Sequence, residues 1–378
     1  MDSRVRGRIA CVSVQGFRSL MNVSDLELPQ LTVLIGSNGA GKSNLIRFFS
    51  MLGWMLRGQH LQEFVLRHGG GDDQLFMGSK HTQAISASIH IQTPQGDNEY
   101  AFELSYNPSQ DNLYFSREAF RFSRKGSIQP NQWFELAMPA RESQLINLAY
   151  QGDPSKKTAK TIATLLQRCA TYQFHDTSEQ ANIKKSWDVS DCAWLRHDGG
   201  NLAAILYRLH EHDHQRYQMI VRQIQRVLPT FSHFILDPMY EKIALRWQGK
   251  QSEKTFGAHL TSDGSLRLFC LITLINLPAE MLPDVLFLDE PELGLHPHAI
   301  TLVAAGLKRI ARHQQVFIAT QSPALVDCFE LENMIVASTS AQGATQLKTL
   351  QRLDYQQWLD DEYQISDLWL TNVIGAQP

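Results

Sequence analysis

The run Leu31-Thr-Val-Leu-Ile35, followed at once by Gly36-Ser-Asn-Gly39-Ala-Gly41-Lys42-Ser43, constrains this chain more than any other segment. A short apolar run suits a strand buried on both faces, and the pattern G-x-x-x-x-G-K-[ST] then opens a helical periodicity from Lys42 to about Leu56. Strand, glycine-rich loop and helix in that order make a phosphate cradle. The glycines let backbone N–H groups turn inward, and the helix N-terminus adds the positive end of its dipole. Lys42 can then reach the β- and γ-phosphates, and the Ser43 hydroxyl can ligate Mg²⁺. This reading assigns Asn38, Gly39, Ala40, Gly41, Lys42, Ser43 and Asn44 to nucleotide binding, with ATP and Mg²⁺ as the cofactors.

Far downstream, Val285-Leu-Phe-Leu-Asp289-Glu290 is an apolar strand ending in two acids, which puts carboxylates at the C-terminal edge of a parallel sheet. Asp289 is the second expected metal ligand beside Ser43, and Glu290 the general base that polarises an attacking water.

Between these motifs the texture changes twice. Alternation over Ile9 to Val14 and Val23 to Leu28, with a turn at Gly16-Phe17-Arg18, predicts a hairpin. Three further strands are predicted at Ile85 to Ile91, Tyr100 to Leu104 and Leu113 to Phe120, as an antiparallel patch. Helical spacing follows at Ile162 to Cys169, Leu202 to Leu209 and Tyr217 to Leu228. Strands return at Phe234 to Leu236 and Ile243 to Trp247. A β-α-β rhythm then runs through a helix from Gly264, a strand at Asp284 to Leu288, a helix from about His298, a strand at Gln315 to Ala319, a helix from Pro323 and a strand at Met334 to Ala337.

Composition removes several function classes. Hydrophobic residues at 43% and charged residues at 19% are ordinary globular usage, which argues against a disordered or collagen-like chain. Thirty-five basic against 38 acidic residues give a net charge of −3, so any contact with DNA has to be local. The five cysteines show no C-x-x-C spacing, and neither a zinc knuckle nor a disulfide framework is expected. No apolar run approaches the roughly 18 residues of a membrane span, and the N-terminal segment lacks a secretory h-region. A cytoplasmic protein without membrane contact is expected.

Asp289-Glu-Pro-Glu-Leu-Gly-Leu-His-Pro297 resembles the Walker B and D-loop of ABC-type ATPases, and Leu260-Thr-Ser262-Asp263-Gly264-Ser-Leu-Arg267 opens a helix where that family carries its signature. With Gly16-Phe17-Arg18-Ser19-Leu20 ahead of the P-loop and Thr320-Gln321-Ser322-Pro323 ending the sensor strand, the chain is similar to the RecF, SMC and OLD branch, and to stand-alone predicted AAA-family ATPases within it. The resemblance covers residues 5–60 and 235–378. It implies an α/β P-loop NTPase with an ABC-type (RecF/SMC-like) head, an N-terminal antiparallel β patch and a mostly helical insertion. The boundaries are 1–138 for the N-terminal half of the head, 139–232 for the insertion and 233–378 for the C-terminal half.

The same resemblance assigns Ser262 and Gly264 to the γ-phosphate bound by a second copy, Arg18 to the nucleotide, and Gln321 to the place of the family's switch histidine. Ser262 is also a favoured helix N-cap whatever is bound. Glutamine can hydrogen-bond a phosphate oxygen or a water but cannot carry charge. His296 occupies the D-loop aspartate position, and no Q-loop glutamine is assigned. The implied activity is ATP hydrolysis by an ATP-linked homodimer acting as a switch in DNA-associated work, in anti-phage defence or DNA repair, with a separately encoded nuclease or toprim-like partner and with DNA itself as a contact. Two alternatives are a low-turnover regulatory nucleotide-binding subunit and the ATPase subunit of a membrane transporter. His210-Glu-His212-Asp-His214 has metal-ligand residue types, but i, i+2 and i+4 do not share one helix face, so a solvated helix end is expected there.

Overall fold

The computed structural model describes residues 7–58, 60–127, 131–150, 156–251 and 253–376. They pack as two compact units, one formed by residues up to 170 together with those from 330 onward, the other by residues 171–329.

In the first unit, alternating side chains build a six-stranded antiparallel sheet in the order Leu20–Glu27, Arg8–Phe17, Ala84–Thr93, Gly96–Asn107, Asn112–Arg124, Phe134–Glu135. Ile85, Ala87, Ile89 and Ile91 are buried while their neighbours face outward, the period of two that the sequence carries. The hairpin turns one step later than predicted. Phe17 pairs with Leu20, so Arg18 and Ser19 form the loop, with Arg18 in the left-handed region at φ 48°. The P-loop strand Leu31–Ile35 pairs in parallel with Met334–Thr339, which pairs antiparallel with Thr345–Thr349. Helix Lys42–Leu56 buries Leu45, Phe48, Phe49, Leu52 and Leu56 along one broad face.

The second unit contains the predicted β-α-β run. Strands Val285–Asp289 and Gln315–Thr320 are parallel, in register from Val285 with Gln315 to Asp289 with Ala319, and buried throughout. Helix Pro297–Ile310 joins them, and helix Asp263–Ile275 precedes them. Phe231, Phe234, Trp247 and Phe269 pack ring against ring beneath a small antiparallel sheet of Phe231–Phe234, Arg246–Gly249 and Thr255–Gly257.

Several elements differ from their predictions. The strand expected over Ile243 to Trp247 is divided, because Lys242–Ile243 pairs with Trp187–Asp188 whereas Arg246–Gly249 pairs with Phe231–Phe234. The helix from Pro323 stops at Val326. Helices Leu61–Arg67, Arg352–Asp360 and Ile365–Leu370 are additional. Within the stretch 139–232, helices Leu145–Ala149 and Lys157–Gln167 belong to the first unit, Leu202–His212 and His214–Val227 to the second. Among the described residues no helix is long and apolar enough to cross a membrane.

One carboxyl lies wholly inside the first unit. The Tyr100 and Ser143 hydroxyls donate to Glu118 Oε1 at 2.6 and 2.5 Å, and the Gln144 N–H donates to Oε2 at 2.8 Å. Burial nonetheless pushes the Glu118 pKa above its ordinary value, so folding takes up a proton at this site. That contribution is complete below 4.5 and is lost as pH rises through the folded value. The stability of the parent protein relative to Glu118→Gln should therefore fall as pH is raised from 4.5, on top of a constant offset from altered hydrogen bonds. Urea denaturation at a series of pH values checks this; a difference independent of pH would contradict it.

Candidate active site

The P-loop departs from a buried strand end and exposes its tip: Asn38, Gly39 and Ser43 are open to solvent while Ala40 is buried. Two glycines are needed for different reasons. Gly39 adopts φ 79° with open space where a Cβ would go, so only its backbone conformation demands glycine. Gly41, the residue that caps helix Lys42–Leu56, adopts φ 90°, and a Cβ there would lie 1.8 Å from Thr345 Oγ1 and 2.6 Å from Ser19 Oγ.

Those two hydroxyls are bonded to each other at 2.7 Å, and the Thr345 N–H donates to the Ser19 carbonyl at 2.8 Å. The Asn44 amide donates to Ser19 Oγ at 2.7 Å, so this residue, assigned to nucleotide from the sequence, is engaged in bracing the cradle. Lys42 is 5% exposed, and its ammonium donates to the carbonyls of Gly36 at 2.7 Å and Ser37 at 2.9 Å. The loop is thus held open around a cation, at a helix N-terminus, with the solvent-exposed Ser43 beside it. This is a donor set that suits a triphosphate and its Mg²⁺.

Arg18 is half-buried. Its guanidinium donates to Gln74 Oε1 through Nε at 3.1 Å and Nη2 at 3.0 Å, and to the His68 carbonyl at 3.3 Å. Gln74 is itself buried and donates to the carbonyls of His68 and Gly70. Burial, and then the charge of Arg47, lower the Arg18 pKa from its ordinary value.

In the second unit, Asp289 ends its strand 7% exposed, and its Oδ2 accepts from Gln173 Nε2 at 3.2 Å. Glu290 leaves the strand in the left-handed region at φ 45°, a conformation that costs about 1–3 kcal/mol in a residue with a side chain. Its N–H donates to the Ala319 carbonyl at 2.8 Å, and its Oε1 accepts from the Gln321 side-chain amide. Glu292 Oε1 accepts from Thr320 Oγ1 at 2.5 Å and from the Gln321 N–H at 3.3 Å. Burial raises the Glu292 pKa above the usual glutamate value, with the charge of Glu290 adding in the same direction.

Ser262 N-caps helix Asp263–Ile275, with Oγ 3.4 Å from the Ser265 N–H and donating to Ser265 Oγ at 2.9 Å. Gly264 has a separate steric reason: a Cβ there would stand 2.7 Å from the Gly294 carbonyl. One turn on, Arg267 donates to the carbonyls of Phe174, His175 and Leu293 at 3.2–3.3 Å, tying the helix start to the turn after Glu290. His296 caps helix Pro297–Ile310 through its own Nδ1.

The second unit therefore gathers Asp289, Glu290 and Gln321 and adds Gln173, Glu292, Thr320 and Arg267, which sequence reasoning passed over. Only Glu292 carried a usable signal, as the third acid of Asp-Glu-Pro-Glu. Among the described residues no group of three or more His, Cys, Asp or Glu is arranged to hold a metal, and His210 bonds Glu211 and packs on Tyr217.

Comparison with known proteins adds to this geometry. A protein-family model described as "AAA domain, putative AbiEii toxin, Type IV TA system" matches residues 31–327. The Old nuclease of Escherichia phage P2 is 23% identical over 381 residues, covering 91% of this chain and 61% of the phage protein, so the chain spans about three fifths of that relative. Two solved Smc heads share the fold. One, bound to the C-winged helix domain of ScpA, gives a TM-score of 0.56 at 15% identity over 92% of this chain and 99% of that one. The other carries an extended coiled coil, is bound to the C-terminal domain of ScpA and derives from Pyrococcus furiosus; it gives 0.55 at 14% identity over 94% and 99%. The fold class is that of an ABC-type head.

The two glycines separate conformational strain from steric strain. Gly39→Ala should cost roughly 1–2 kcal/mol, the penalty of a left-handed alanine, whereas Gly41→Ala should cost clearly more because Thr345 and Ser19 must also move. Thermal denaturation of the two variants measures the difference, and equal losses would contradict the steric account.

Proposed function

The chain belongs to the AAA-domain family whose model spans residues 31–327, and on that footing we propose that it binds and hydrolyses ATP as a nucleotide-gated dimeric switch. The observation that carries this reading is Glu290. It is a half-buried carboxylate next to a buried aspartate, turned out of its strand by a left-handed backbone and held by the Gln321 amide. In this reading Asn38 to Asn44 form the nucleotide cradle, Lys42 leaves the Gly36 and Ser37 carbonyls for the β- and γ-phosphates, and Arg18 adds positive charge from the neighbouring hairpin. Ser43 and Asp289 would hold Mg²⁺, with the Gln173 amide oriented on Asp289; when bound, the ion neutralises charge on the phosphate oxygens.

Glu290 takes the proton of the attacking water as its oxygen bonds to the γ-phosphorus and the bond to the bridging oxygen breaks, releasing ADP and phosphate. Ser262 and Gly264 close on the nucleotide of a second copy. The work is DNA-associated, in anti-phage defence or repair with a nuclease or toprim-like partner; the likeness to the Old nuclease supports the association with nucleic acid. The Smc heads bound to ScpA support a partner protein that docks on the head.

A slower variant of this reading has its own support. Gln321 cannot become cationic, which suits a regulatory subunit with low turnover.

Lys42→Ala should abolish ATP binding in a fluorescent-nucleotide titration; affinity equal to the parent would remove the cradle assignment. Glu290→Gln should bind ATP, lower kcat by about 10²–10⁴, and migrate as a dimer in gel filtration only when ATP is present. Unchanged turnover would remove Glu290 as the base, and a monomer with ATP bound would remove the dimeric switch.

A further inference from the structure

The third acid in Asp289-Glu290-Pro291-Glu292 has no part in the chemistry above, yet it makes two contacts with the end of the neighbouring strand. Thr320 is the last residue of strand Gln315–Thr320, and Gln321 is the first beyond it. Both donate to the same oxygen, Glu292 Oε1, the first through its hydroxyl and the second through its backbone N–H. The other oxygen, Oε2, is buried and has no hydrogen-bond partner among the described residues. Leaving a carboxyl oxygen in that state costs free energy that a turn residue of no further consequence would avoid. The Gln321 side chain, whose backbone is held this way, carries its amide to Glu290 Oε1. The Ser322 N–H in turn donates to Thr320 Oγ1 at 3.0 Å, so the Thr320 hydroxyl is fixed from both sides.

We propose that Glu292 is a positioning residue for Glu290: one carboxyl oxygen gathers the Thr320 hydroxyl and the Gln321 N–H, and so sets the orientation in which the Gln321 amide grips the Glu290 carboxylate. The inference rests on the reading of Glu290 as general base. Without that oxygen, two donors at the strand end lose their acceptor, the first residue past the strand relaxes, and the amide swings off Glu290. The carboxylate then samples rotamers in which its lone pair misses the attacking water. Nucleotide binding, which the proposed function assigns to the P-loop, is not touched. The neutral state that burial favours for Glu292 is one that a glutamine side chain reproduces, with Oε1 still able to accept both bonds.

Crystal structures and steady-state ATPase kinetics of the parent protein, Glu292→Ala and Glu292→Gln test this. In Glu292→Ala the Gln321 amide should leave Glu290, and kcat should fall by about 10- to 100-fold, the scale of an ångström-sized misplacement, with KM for ATP unchanged. Glu292→Gln should keep the Gln321–Glu290 contact and restore most of kcat. An intact Gln321–Glu290 contact in Glu292→Ala, or a Glu292→Gln as impaired as the alanine variant, would overturn the proposal. Should Glu292→Ala fail to fold, Thr320→Val removes one of the two donors without changing shape. It should lower kcat at constant KM, and an unaltered kcat would count as refutation. A parent protein that binds ATP without turnover defeats the hydrolytic reading instead, and the crystallographic comparison still decides whether Glu292 places Gln321.

Discussion

Two acids at the end of a buried parallel strand set the conditions that the second unit has to meet. Val285 to Leu288 are buried, so Asp289 and Glu290 bring charge to an edge flanked by apolar residues. Such charges are tolerable only when the protein supplies donors. The chain provides them one at a time: the Gln173 amide for Asp289, the Gln321 amide for Glu290, the Thr320 hydroxyl and Gln321 N–H for Glu292. Each donor is neutral. These donors fix the orientation of each carboxyl group at the strand end. The same economy holds in the first unit, where the Lys42 ammonium rests on backbone carbonyls and the Arg18 guanidinium on an amide oxygen and a carbonyl.

How much of this was readable from the chain depends on how local each feature is. Strand Leu31–Ile35, the loop and helix Lys42–Leu56 are contiguous, and hydrophobic period, glycines and helix start agree within a few residues, so the element boundaries come out as predicted. Asp289 and Glu290 are likewise legible because strand and acids adjoin. Gln173, Arg267, Ser19 and Thr345 are not, because each matters through a partner more than twenty residues away, and glutamine, arginine, serine and threonine have no residue-type signature of that role. Arg18 falls at the predicted hairpin turn and is assigned to the nucleotide by resemblance; its half-burial depends on Gln74, 56 residues on, which no local pattern announces. The division of the strand at Ile243 to Trp247 has the same origin, since one apolar run serves two different pairing partners.

Local rules also failed in an informative place. Glu290 is a non-glycine residue at positive φ immediately after a strand, where an extended backbone would be the default. Positive φ at such a position is held only when surrounding bonds determine it, here the N–H bond to Ala319 and the side-chain bond from Gln321. Arg267 reinforces the following turn by donating to the Leu293 carbonyl, and Gly264 admits the Gly294 carbonyl against the helix start. The turn after Glu290 is thus clamped from two sides within its own unit.

The brace between Ser19 and Thr345 joins residues 326 positions apart, and along one edge the P-loop strand pairs in parallel with Met334–Thr339. A ribosome adding about 5–20 residues per second needs on the order of 15–65 s to span that interval. Throughout that time the emerging cradle has its glycines and lysine but neither the hydroxyl that buttresses the helix cap nor a partner along that edge of its strand. The brace on the helix cap therefore forms only once Thr345 has emerged, and a translation product that stops short of it would carry the glycine motif without the hydroxyl that buttresses it.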